Sequence, residues 1–284
     1  MASTTNTRQT DAVDWALIAW RVYWVSAFLL LGWTVLAGVV WEFEVPPGFV
    51  ITLITFLYWL VGGILWKMWA ASRKRARELV RVARELELEY TPKVSEEALG
   101  RLSHFALFNR GQEPLGRHGM EGQRKGVPLL LLDYRYVFKV STGDDAYGVP
   151  YDQTVVVFPE PAAGLPDFAL MPKGLFNKTA DQLVGTAVGL VIGKLGDIDV
   201  DGGKDPAFRK QYRVDGSDAA ALRKVFDAKA RAFFVENADW CVECRGGQLI
   251  IYKAGILTNP AKYAARIDKA FEIRRALLKK NVSV

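Results

Sequence analysis

Two long apolar segments stand back to back near the start of the chain. Val22 to Trp41 and Val45 to Trp66 contain no charged residue, and only Glu42-Phe43-Glu44 separates them. Each runs about twenty residues, enough at ~1.5 Å per helical residue to cross a ~30 Å hydrocarbon core. A basic run follows the second: Lys67, Arg73, Lys74, Arg75 and Arg77. The pattern predicts a membrane α-hairpin of two transmembrane helices with a larger domain hung from it.

Basic residues near span ends set orientation, and acidic ones contribute little. The turn from Glu42 to Pro47 has no Lys or Arg, whereas Arg8 and Arg21 flank the first span and the basic run flanks the second. Both termini are therefore expected on the cytoplasmic side. Arg21 is the one charge in an apolar approach; it snorkels to the interface, or it belongs to an ion or proton pathway or pairs with Asp14. The first segment is too long for the apolar region of a signal peptide and lacks its positive start, which favours an uncleaved anchor.

Beyond the second span the period changes. Leu79, Val82, Ala83 and Leu86 repeat at helical spacing, predicting a stalk helix over 73–88 that Thr91-Pro92 ends. The stalk is a stop-transfer signal, a clamp on lipid headgroups or a short coiled-coil contact. Ser95 with Glu96 and Glu97 predicts a capped helix reaching about Phe108. Strand signals cover Leu129 to Val140, Thr154 to Phe158, Phe168 to Met171 and Tyr212 to Val214. Ser217 or Asp218 caps a helix with Leu222, Val225, Phe226, Ala230 and Phe233 on one face. Gly246-Gly247 joins Trp240–Arg245 to Leu249–Lys253 as a hairpin. Asn259-Pro260 then opens a terminal helix.

Short turns and helices that do not alternate with strands argue for an α+β domain with a mainly antiparallel sheet and packed helices. The expected organisation is a tail (1–14), a two-helix transmembrane hairpin (15–69), a basic helical stalk (70–91) and a cytosolic α+β domain (92–284).

Composition supports the division. Of nine tryptophans, eight lie in the first seventy residues and only Trp240 beyond, in keeping with rings at the headgroup level. The net charge of +6 sits partly beside the predicted membrane, so the phospholipid bilayer and its anionic headgroups are the expected partners rather than nucleic acid. Two cysteines make no disulfide framework.

Few motifs suggest chemistry. Cys241-x-x-Cys244 lies on a predicted strand, where positions three apart face opposite sides, which favours structural thiols over a redox pair or a zinc site. Asp197-x-Asp199-x-Asp201-Gly202, with Asp205, matches the first half of a calcium loop; Phe208 then stands where a bidentate Glu is needed, so an acidic turn is the stronger expectation. The Gly185-x3-Gly189-x3-Gly193 stretch is too short to span a bilayer and reads as a tightly packed segment. From Arg110 to Gly126, Arg117, Arg124 and Lys125 stand among glycines: a solvated turn, or a cradle for a phosphate or lipid headgroup. No hydrolase, dehydrogenase or zinc-protease template occurs, no cofactor is expected, and an enzyme is disfavoured.

Phe108-Asn109-Arg110-Gly111, Gly126-Val127 leading to Leu132-Asp133-Tyr134-Arg135-Tyr136, Thr154 to Val157 and Phe208 to Val214 together carry a likeness. From about Leu102 to Leu277 the chain resembles a set of uncharacterised bacterial membrane-anchored proteins with a cytosolic α+β domain of unknown function. The resemblance implies a bacterial inner-membrane protein and supplies no functional residue. The leading expectation is a membrane-tethered, non-enzymatic domain that recruits or senses a partner, another protein or a second copy. The alternatives are an anionic-lipid or small-ligand binding domain, with Arg73, Lys74, Arg75, Arg77, Arg117, Arg124 and Lys125 as contacts, and an enzyme acting near lipid.

Overall fold

The computed structural model of the 284-residue chain describes residues 23–28, 32–33, 46–142, 145–160, 164–176 and 198–278. The chain divides into two compact units, Met1–Arg75 and Ala76–Val284. Helix α1 (Pro46–Glu85) begins in the first and ends in the second.

In the first unit, residues 23–28 and 32–33 are helical. Tyr23 packs on α1: its hydroxyl donates to the carbonyls of Tyr58 and Trp59, each at 3.0 Å. Its ring fills the space a Cβ on Gly62 would need. Trp24 meets Trp59 edge-on at 4.2 Å. Most of α1 is bare. Ile54, Phe56, Leu60, Val61, Ile64, Leu65 and Met68 are between 48% and 65% exposed. Among the described residues one helix, Ile54–Glu85, is long and apolar enough to cross a membrane. Two were expected; most of the first span, with Arg21 and the Glu42–Glu44 turn, lies outside the described residues.

The second unit opens with the end of α1. Leu79, Val82, Ala83 and Leu86 recur at helical spacing because they are core residues of the domain. The helix ends at Glu85, and Glu87 takes a positive φ of 58° before β1 (Glu89–Lys93) begins. Thr91-Pro92 thus lies inside a strand instead of terminating the helix. Proline is tolerated there because β1 forms the edge of the sheet.

Ser95 accepts from the Ala98 N–H and caps α2 (Glu96–Gly100), which is far shorter than expected. The chain then turns through a 3-10 segment, Ala106–Asn109. It enters β2 (Gln112–Arg124), β3 (Val127–Thr142) and β4 (Asp145–Phe158), then β5 (Phe168–Pro172). The glycine-rich stretch expected to be a turn is therefore a strand. Its glycines serve close approach: a Cβ on Gly116 would meet the Val94 side chain at 2.8 Å, and one on Gly122 would meet Leu88 at 2.9 Å.

Helix α3 (Pro206–Gln211) leads into β6 (Tyr212–Gly216). The single helix expected from 217 to 233 is two, α4 (Ala219–Val225) and α5 (Ala228–Glu236), each with its own aspartate cap, Asp218 and Asp227. Strands β7 (Cys241–Arg245) and β8 (Gln248–Tyr252) form the Gly246-Gly247 hairpin, both glycines at positive φ. Asn259 caps the last segment, and α6 (Tyr263–Leu278) closes the described chain.

The eight strands among the described residues form one sheet, in the order β1-β2-β3-β4-β8-β7-β5-β6, with antiparallel pairings throughout. The sheet separates two apolar layers. Leu131, Val156, Val242 and Ile251 join the helices on one face, including Phe271 of α6. Leu132, Tyr134, Val155, Ile250 and Tyr252 face the other side, under the short cover formed by α2 and the 3-10 segment. Alternation along the strands produces both layers. The domain is α+β, as its pattern predicts.

Candidate functional site

The residues nominated from sequence fall in separate places. Arg73, Lys74 and Arg77 lie exposed on α1, with Arg75 half-buried. The Arg73 guanidinium sits over the Trp69 ring at 4.1 Å, and Trp69 lies 4.8 Å from Trp66. That is an aromatic-then-basic register along one helix.

Arg117 on β2 pairs with Asp152 of β4 at 3.2 Å. Asp152 also receives both arms of Arg135, at 2.8 and 2.6 Å. Arg124 and Lys125, at the β2–β3 turn, meet Asp268 of α6 at 3.8 and 2.9 Å. The basic residues of β2 are thus split between two partly exposed clusters, each with a carboxylate. Such pairs contribute about 0–1 kcal/mol, and in each cluster two cations share one carboxylate.

The acidic stretch is a folded turn. Asp199 accepts from the Asp201 and Gly202 N–H groups, Asp201 from those of Gly203 and Asp205, and Asp205 from Phe208 N–H and Arg231. A side-chain bond to Asp201 and these backbone donors hold the Asp199 carboxyl down at about 2. Asp197 and the Gly185–Gly193 stretch lie outside the described residues. Among the described residues no group of three or more His, Cys, Asp or Glu side chains is placed to hold a metal.

Cys241 and Cys244 are free, buried, and on opposite faces of the sheet. Burial pushes both thiols up to about 12, so neither is a nucleophile at neutral pH.

The most unusual chemistry lies between them. Glu243 is fully buried on the face beneath the α2 cover and takes three contacts. The Leu107 N–H donates to it at 3.3 Å and the Tyr252 hydroxyl at 2.9 Å, while the Arg110 guanidinium stands 3.8 Å away. Arg110 is itself only 4% exposed. Burial works against its charge, but the surrounding Tyr252, Glu243, Tyr136 and Cys241 more than restore it. Tyr136 hydrogen-bonds the guanidinium, and burial raises its phenol. This pair staples the cover to the sheet.

Beside the staple opens a cavity of about 450 Å³, with Phe108 and Tyr134 as its floor, Leu99 and Pro114 as walls, and Glu96 and Ser103 near its mouth. A second, smaller cavity of about 240 Å³ lies against Asp199, Phe208 and Tyr212. Sequence reasoning missed the first site. Arg110 entered as the start of the glycine-rich stretch and as part of a likeness, and the C-x-x-C spacing drew attention to the cysteines flanking Glu243.

On the helical face, Asp133 accepts from Thr154 at 2.7 Å and from Tyr263 at 2.8 Å. Arg266 donates to the Thr154 carbonyl and stacks 4.2 Å from the Trp240 ring, and its burial lowers its pKa to about 10. These contacts fasten α6 to the sheet.

Fold and site define an antiparallel α+β domain that shares one helix with an apolar segment long enough to cross a membrane. No protein-family model matches the chain, and no curated protein is significantly similar to it. Among solved structures, the crystal structure of the mycobacterial trehalose monomycolate transport factor A, TtfA, is similar over 72% of this chain and 97% of its own, at 13% identity and a TM-score of 0.46. A likeness that loose carries no functional argument.

Proposed function

We propose that this is a bacterial inner-membrane protein whose two-helix hairpin holds an α+β domain at the cytoplasmic face, where the domain recruits or senses a partner without catalysis. The observation behind it is the bare apolar surface of α1 from Ile54 to Met68, followed by Trp66, Trp69 and Arg73. A helix of that length with apolar side chains exposed in water would be a severe aggregation liability, while lipid tails would cover it. Tyr23, Trp24 and Phe28 against Trp59 support a second helix packed alongside. Membership of the membrane-anchored family that the sequence resembles is part of the same proposal.

Extraction of the full chain from native membranes in mild detergent, followed by native electrophoresis and mass spectrometry, tests the recruiting role. A discrete complex with a defined second protein, or with a second copy, is the expected result. Migration as a lone chain at native abundance would sink it.

A second reading has its own observation. The Trp69–Arg73 stack and the neighbouring Lys74, Arg75 and Arg77 follow the apolar stretch of α1 and suit anionic headgroups. Native mass spectrometry should then retain phosphatidylglycerol over phosphatidylcholine, and replacement of the four α1 residues by Gln should abolish that preference.

A further inference from the structure

The cavity under α2 brings together an aromatic floor, a single carboxylate and a strained β-bulge. Its floor is an aromatic pair, Phe108 and Tyr134, with ring centroids 4.5 Å apart. The Tyr134 hydroxyl is already committed to the Phe108 carbonyl at 3.4 Å, and burial raises its phenol, so the floor is neutral. With Leu99 and Pro114 it makes an apolar box whose volume lies in the usual range for small-ligand pockets, roughly 300–1,000 Å³.

The only ionisable side chain in the lining, apart from that phenol, is Glu96. No Lys, Arg or His lines it. Arg110 stands behind the floor, 4% exposed, with the Glu243 carboxylate 3.8 Å away. With Glu96 as its charged group, the cavity favours a positive ligand over an anion.

The third property is strain. Glu113, a non-glycine residue, holds a φ of 56° two positions after Gly111 at 63°. The β2–β3 register slips between Gln112 and Leu115, a bulge that leaves Pro114 as a wall of the cavity. A left-handed non-glycine residue costs on the order of 1 kcal/mol, and such residues and bulges concentrate at binding sites. Glu113 is solvent-exposed, so core packing does not account for its conformation.

We propose that this cavity binds a small ligand that carries a protonated amine on an apolar body about the size of one aromatic ring. The amine meets Glu96, and the body packs on Phe108, Leu99 and Pro114, with the buried Tyr134 ring behind Phe108. The proposal is independent of the recruiting role and of anchoring; each can fail without the other.

The test is photo-crosslinking of the full chain in lipid nanodiscs with a diazirine derivative of phenethylamine. Peptide mapping locates the label, with phenethylamine, 2-phenylethanol and phenylacetate as competitors. The label should fall on the peptides containing residues 96–114 or Tyr134. Phenethylamine should compete better than phenylacetate by about two- to fivefold, the value of one exposed charge contact. Glu96→Gln should erase that preference, whereas Glu97→Gln, on the same turn but outside the cavity, should keep it. Gly100 has open space where a side chain would stand, so Gly100→Phe fills the mouth without disturbing the core and should block labelling. Equal competition by phenylacetate, label elsewhere on the chain, or an equal loss in Glu97→Gln would overturn the proposal.

Discussion

Replacing Glu243 with Gln keeps the shape of the side chain and removes its charge. Arg110, 4% exposed, then loses its one carboxylate partner, which stands 3.8 Å away. Breaking a buried pair by removing one member costs about 3–5 kcal/mol, mostly for the uncompensated charge that remains. The amide still offers one oxygen to the Leu107 N–H or the Tyr252 hydroxyl, so the lower part of that range is expected. For a domain of about two hundred residues, 1 kcal/mol shifts the melting temperature by about 2–4 °C, so a loss of about 3–4 kcal/mol lowers it by roughly 6–16 °C. Arg110→Met should cost a similar amount because it strands Glu243. The double variant should cost much less than the sum, since neither charge is then left behind. Thermal unfolding of the full chain in detergent, followed by near-UV circular dichroism, measures all three. Single-variant losses that add to within about 0.5 kcal/mol would show that the two residues are uncoupled and refute the staple.

Three further outcomes follow from the packing. Both thiols should resist maleimide at pH 8 in the folded chain and react once it is denatured, because burial holds each near 12; fast labelling of the native chain would contradict their placement. Their raised folded values also mean that the unfolded chain loses protons first, so stability should fall as pH rises from about 8.5 towards 12, and replacing both cysteines by Ala should flatten that slope. Gly116→Ala should destabilise by about 1–3 kcal/mol, since its Cβ meets Val94 at 2.8 Å and Leu99 at 3.0 Å, whereas Gly100→Ala, with open space in α2, should be neutral or stabilising by up to about 1 kcal/mol; calorimetry of the two variants decides.

The helices and strands that stood out in the sequence are those with a strong local signal. Asp218, Ser95 and Asn259 cap the segments their positions predict, and Gly246-Gly247 turns the hairpin. Opposite facing of the two cysteines follows from strand period alone. Failures came where tertiary contact overrides composition. Gly116, Gly119 and Gly122 look like a loop but mark a strand crowded by Val94 and Leu88. Asp227 breaks a continuous apolar stripe into two helices by capping the second. The staple was illegible for a plainer reason: Arg110 and Glu243 lie 133 positions apart, and no local pattern announces a pair that a sheet brings together.

The proposed function requires α1 to cross a membrane with the domain on its cytoplasmic side. Because the native thiols are buried, single introduced cysteines report topology cleanly. In intact cells, Glu44→Cys should react with an impermeant maleimide, while Lys229→Cys, on the exposed surface of α5, should react only after the membrane is permeabilised. Labelling of Lys229→Cys in intact cells, or release of the chain from membranes by alkaline carbonate, would contradict it.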